Sequence, residues 1–146
     1  MFTRDSDLLT FCENKVVQIL ADKDELFNTD GTSLTVNSDK TLGRARPFAG
    51  DYGISKNPES FASDEFRVYF TDKARGAVLR LSRDGITNIS DYGMKNWFYD
   101  NLSNAQALIG SFDGKKNQYN VAVHSVTNPE VKKEVYTVSF LSLIHI

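Results

Sequence analysis

The sequence predicts a mainly β fold of antiparallel hairpins around a three-stranded meander, with one short helix near residues 91–103. Three observations carry that reading. Residues 66–90 alternate apolar and polar side chains and are broken by two turns. The pairs Glu13-Asn14 and Asp113-Gly114 each lie between short runs rich in β-formers. Met94, Trp97, Phe98 and Leu102 recur at helical spacing, which makes one apolar stripe.

Taken in order, 7–12 and 15–20 form a first hairpin across Glu13-Asn14, and 20–27 adds a helical turn with Asp22 as its N-cap. That turn is too short to persist without packing. Residues 28–31 form a turn; they lack the further acidic ligands and closing glutamate of a calcium loop. Gly43, Pro47, Gly50, Gly53 and Pro58 make 31–65 a long, mostly irregular connection. Arg44 and Arg46 beside Phe48 and Tyr52 suit recognition, although a loop laid over a sheet with its aromatics buried is the simpler reading.

In the meander, Val68 and Phe70 share the better-buried face and Tyr69 the other. Ala77, Leu79 and Leu81 face away from Val78, Arg80 and Ser82, and Gly85 supplies a positive φ in the turn after Arg83-Asp84. Residues 86–90 return as the third strand. Ser90 or Asp91 caps the helix, and Ser103-Asn104 ends it. A hairpin of 108–112 and 118–123 follows, then a polar turn over 126–133 and a last strand over 134–140.

At 146 residues, 40% hydrophobic and 25% charged, the chain suits one soluble domain. A net charge of -2 argues against a dedicated nucleic-acid site, and Lys115-Lys116 and Lys132-Lys133 read as solvated turns. The single Cys12 permits neither an internal disulfide nor a cysteine-rich metal site. Nothing at the start resembles a signal peptide and apolar runs are strand-sized, so synthesis in the cytoplasm and no membrane association are expected. His124 has no neighbouring elbow or metal spacing, and Asp72 and Asp84 read as turn caps. No catalytic, cofactor-binding or metal-ligating residue is assigned, and neither a Walker loop nor a GxGxxG turn is present.

Tyr69-Phe70-Thr71-Asp72, the turn through Gly76 and the later Asp84-Gly85 resemble a β-propeller blade. More extensively, DLLTFCENKVVQILADKDELFN (7–28), GDYGISKNPESFA (50–62), RVYFTDKARGAVLRLSRDGITNISDYGMKNWF (67–98) and LIGSFDGKKNQYNV (108–121) resemble a family of large virion structural proteins of tailed bacteriophages. The resemblance implies a partly propeller-like, non-enzymatic neck, tail or hub component. Its expected location is the virion, and its expected partners are copies of itself and other virion proteins. The alternative is a fibre or baseplate module that recognises a host-surface glycan through residues 31–65. A propeller hydrolase or lactonase would need an inward ring of carboxylates or histidines around a metal. Residues 1–140 are expected to be one all-β domain or part of a larger propeller-like one. Residues 141–146, which include His145, resemble translated sequencing-adapter sequence and are expected to be artefactual.

Overall fold

The structure is a computed structural model that describes residues 2–4, 7–27, 33–65, 67–91, 93–128 and 131–141, with side chains for 8–20, 45–65, 67–91, 93–124 and 135–140. Its strands form three antiparallel meanders in chain order. The first sheet holds β1 (Phe2–Arg4), β2 (Asp7–Phe11), β3 (Val16–Phe27) and β4 (Ser33–Pro47). The middle sheet holds β5 (Ala62–Ser63), β6 (Val68–Asp72), β7 (Ala77–Ser82) and β8 (Gly85–Asn88), and the third β9 (Ala105–Asp113), β10 (Gln118–Asn128) and β11 (Val131–Leu141). Helix α1 (Lys95–Ser103) joins the middle sheet to the third.

The architecture follows from β6 and β7, which are buried on both faces. Val68, Phe70, Ala77, Leu79 and Leu81 enter one core with Leu9 and Val16 of the first sheet. Tyr69 and Val78 enter a second core with Leu108, Tyr119, Val121 and Val123 of the third sheet and with Phe98 and Leu102 of α1. The middle sheet is therefore sandwiched, and the three sheets stack in a propeller-like series. A meander with one better-buried face is thereby corrected: alternation separates the two faces, but each meets its own partner sheet. The Tyr69 ring lies nearly parallel to those of Tyr119 and Phe112, with centroids 5.0 and 5.8 Å away.

At the Asp72 end, β5 and β8 stop short of their neighbours, and two serines complete the ladder. Ser60, at the end of the 3-10 turn Pro58–Ser60, accepts from the Thr71 N–H at 3.2 Å. Ser90, in the 3-10 turn Ile89–Asp91, accepts from the Val78 N–H at 3.2 Å. Both serines are buried, so each replaces a main-chain partner that these N–H groups would otherwise lack.

Further expectations are corrected by main-chain pairing. Residues 20–27 form no helical turn with Asp22 at its cap; they continue β3, from Ala21 opposite Leu42 to Phe27 opposite Ser33. The connection is irregular only beyond Pro47, because 33–47 is the partner strand. Phe48 and Tyr52 do pack on the first core, as a loop laid over a sheet requires. In place of a polar turn over 126–133, β10 and β11 extend until Asn128 opposes Val131. Met94 occupies the N-cap of α1 without a side-chain bond, and Ser90 instead bonds Asn88 and the β7 backbone. Gly85 does take φ +105. The turn expected at 28–31 and residues 142–146, His145 included, lie outside the described residues; Leu141 ends β11 opposite Gln118.

Candidate functional site

The groups with chemical potential gather at one end of the stack, where the β2–β3 turn, the loop 50–57, the β6–β7 turn and the end of α1 converge. Gly53 starts the convergence. A Cβ there would stand 2.4 Å from the Glu13 carbonyl oxygen, so only glycine permits this approach of loop to turn. The Ile54 and Ser55 N–H groups then donate to the Cys12 and Glu13 carbonyls at 2.9 and 3.2 Å. Ser55 is held at φ +55, a left-handed conformation unusual for serine and fixed by these bonds.

Asp72 fastens the same loop to the middle sheet. Its carboxylate, with no exposed surface, accepts from the Gly53 N–H at 3.0 Å, the Ser55 hydroxyl at 2.8 Å and Arg75 Nη1 at 2.8 Å. The Arg75 N–H adds a bond of 3.3 Å, which is the turn-capping role expected of aspartate here. The sequence suggested only that local role, because Gly53 and Ser55 are distant along the chain. Asp84, by contrast, stays exposed in its turn. Lys15 and Asp51 add an exposed ion pair of 3.0 Å, and its hydrogen bond and charge hold the Asp51 carboxyl below the ordinary range.

Above this fastening lies an open cleft of about 490 Å³, lined by Glu13, Ser55, Lys56, Asn57, Lys73, Ala74, Ser103 and Gln106. Asn57 is only 6% exposed, and its Oδ1 has no hydrogen-bond partner. None of Lys56, Asn57, Lys73 and Gln106 stood out in the sequence, since they come from three separate segments with no motif among them.

The residues that had drawn attention lie elsewhere. His124 is half-buried on the outward face of the third sheet, between Ala107 and Val135. Arg46 approaches Gln18 Oε1 at 3.5 Å, and Cys12 is an exposed free thiol. Among the described residues no three His, Cys, Asp or Glu side chains gather as a metal site, and no helix is long and apolar enough to cross a membrane. No family model and no curated protein sequence matches the chain.

Proposed function

We propose that the chain is a non-enzymatic structural component of a tailed-bacteriophage particle, in the neck, tail or hub, where it contacts copies of itself and other virion proteins. The observation that carries this reading is the character of the two outward faces of the stack. On the first sheet, register aligns Leu8, Ile19 and Ala45 in one row and Thr10, Val17 and Pro47 in the next. On the third sheet three adjacent rows are Ala107, His124 and Val135; Ile109, Ala122 and Thr137; and Ser111, Asn120 and Ser139, and the next row on that face begins with Asp113 and Gln118. Among these positions only Asp113, at the end of the third sheet, is charged, in a chain that is 25% charged, and Ile109 and Val135 are 56% and 62% exposed.

Charge depletion is what the centre of a subunit contact needs. The middle sheet illustrates the form of such a contact, one flat sheet against the next. The resemblance of 7–28, 50–62, 67–98 and 108–121 to virion structural proteins supports the same reading. The test is quantitative mass spectrometry of washed virions from a phage that encodes the protein. A fixed copy number per particle is the expected result, whereas protein abundant in infected cells and missing from virions would overturn it.

A further inference from the structure

Among the described residues Arg80 is the one buried cation, and no group of the chain answers its charge. It lies mid-strand in β7, between Tyr69 of β6 and Thr87 of β8, on the face covered by α1 and the third sheet. The residue is 7% exposed, and its Nε is shut off from solvent with no hydrogen-bond partner. Nη1 and Nη2 donate to nothing in the chain either, yet both keep accessible surface. The buried carboxylate of Asp72 is paired with Arg75 and works on the opposite face of the sheet, toward Gly53.

A desolvated guanidinium without a counter-charge is destabilising. A methionine of similar length would fill the space without that penalty, so the charge serves something other than the fold. The surroundings show where the fork opens. Tyr69 and Val78 are buried and close two sides, whereas Ser82 and Thr87 are half-buried on the same face. Thr87 belongs to β8, the edge strand of the middle sheet. The terminal nitrogens therefore reach solvent through a notch at that edge, beside two hydroxyls.

We propose that this notch takes a single carboxylate, its two oxygens accepting from Arg80 Nη1 and Nη2, with the Ser82 and Thr87 hydroxyls as further donors on the same face. The chemistry selects this class. The end of a guanidinium presents two parallel N–H groups that match the spacing of carboxylate oxygens. A neutral ligand leaves the buried charge unanswered, and a phosphate dianion brings a second negative charge for which the described residues hold no other buried cation. The carboxylate belongs either to a free small acid or to an Asp or Glu side chain of a second copy, and the contact at Arg80 is the same. The proposal is independent of the virion assignment, so either can fail alone.

The test is NMR titration of the intact chain with acetate, and with phosphate and chloride at matched ionic strength, following the Arg80 Nε–H resonance, which burial protects from exchange. Acetate should saturate with Kd on the order of 10 mM, and phosphate should bind more weakly. Arg80→Lys, which keeps the charge without the fork, should weaken acetate at least about threefold. Arg80→Met should abolish saturation and, without acetate, melt no lower than the natural chain. Sedimentation over a concentration series separates the sources: association that acetate reverses and Arg80→Met prevents identifies a carboxylate of a second copy, and a monomer saturated by acetate identifies a free acid. No saturable acetate shift, an equal response to chloride, tighter binding of phosphate, or Arg80→Met melting more than about 4 °C lower would each overturn the proposal.

Discussion

The two faces of the middle sheet are built from alternate residues of the same strands, yet they close against their neighbours in different ways. Toward the first sheet the contact is aliphatic with edge-on rings, Phe11 to Phe70 and to Phe61, and one buried carboxylate fastens its end. Toward the third sheet it is a nearly parallel stack of Phe112, Tyr69, Tyr119 and Phe140, tied by the Tyr119 hydroxyl, which donates to the Ser60 carbonyl at 2.7 Å. This second face also holds Arg80, 7% exposed, and the partnerless Thr71 hydroxyl. Aliphatic contacts are weakly directional and can be repacked. Stacked rings with buried polar atoms are specified by geometry, so the third-sheet side should respond more sharply to small changes.

The largest effect should come from Gly110→Ala. The new methyl would sit 2.1 Å from the Ser60 carbonyl oxygen, against backbone that cannot rotate away. Destabilisation of about 3 kcal/mol is expected in denaturant unfolding, at the upper end of overpacking costs. A near-neutral result would mean the third sheet floats on the middle one.

Asp72→Asn tests the fastening on the opposite side. The amide keeps the shape but turns an NH₂ toward the Gly53, Ser55 and Arg75 donors, so about 2 kcal/mol should be lost. The loss should come with faster hydrogen exchange at Gly53. Slower exchange, or no change there, would show that the Cys12 and Glu13 carbonyls hold the loop by themselves.

Tyr119→Phe removes the hydroxyl bond alone and should cost about 1 kcal/mol at neutral pH. Burial pushes the Tyr119 phenol well above its ordinary pKa of 10.0. The folded chain therefore keeps a proton that the unfolded chain releases from about pH 10, and stability should fall as pH rises beyond that point. In Tyr119→Phe this share of the alkaline decline should vanish. Parallel pH curves for the two proteins would place the phenol in contact with water.

The smallest effect is expected from Leu79→Met on the aliphatic face, below the loss in Tyr119→Phe because volume is conserved. A loss exceeding that of Tyr119→Phe would erase the contrast between the faces.

The hairpins were legible because their turns are chemically marked. Glu13-Asn14, Arg83-Asp84-Gly85 and the Asp113 turn all close where the side chains indicate, with Asp113 Oδ1 accepting from the Lys115 N–H at 3.0 Å. The long β3–β4 ribbon was not legible. Leu34 and Val36 alternate with Ser33, Thr35 and Asn37 over too few residues to mark so long a strand, residues 38–41 are wholly polar, and the register with β3 shifts between Asn37 and Leu42. Double burial of β6 was hidden for a related reason: Tyr69 and Arg80 read as solvent-facing until a second sheet stands over them. The cleft was least visible of all, since stacking the sheets is what brings Asn57, Lys73 and Gln106 together.

The order of sheets along the chain also sets a timetable for synthesis. When β8 is complete, the first sheet already exists to cover Phe70 and Leu79, but the partners of Tyr69 and Val78 do not. About 35 residues separate Asn88 from Val123, which at about 5–20 residues per second leaves the aromatic face waiting roughly two to seven seconds. Phe98 and Leu102 of α1 emerge first within that interval, so the helix is the earliest shelter this face has against contact with other nascent chains.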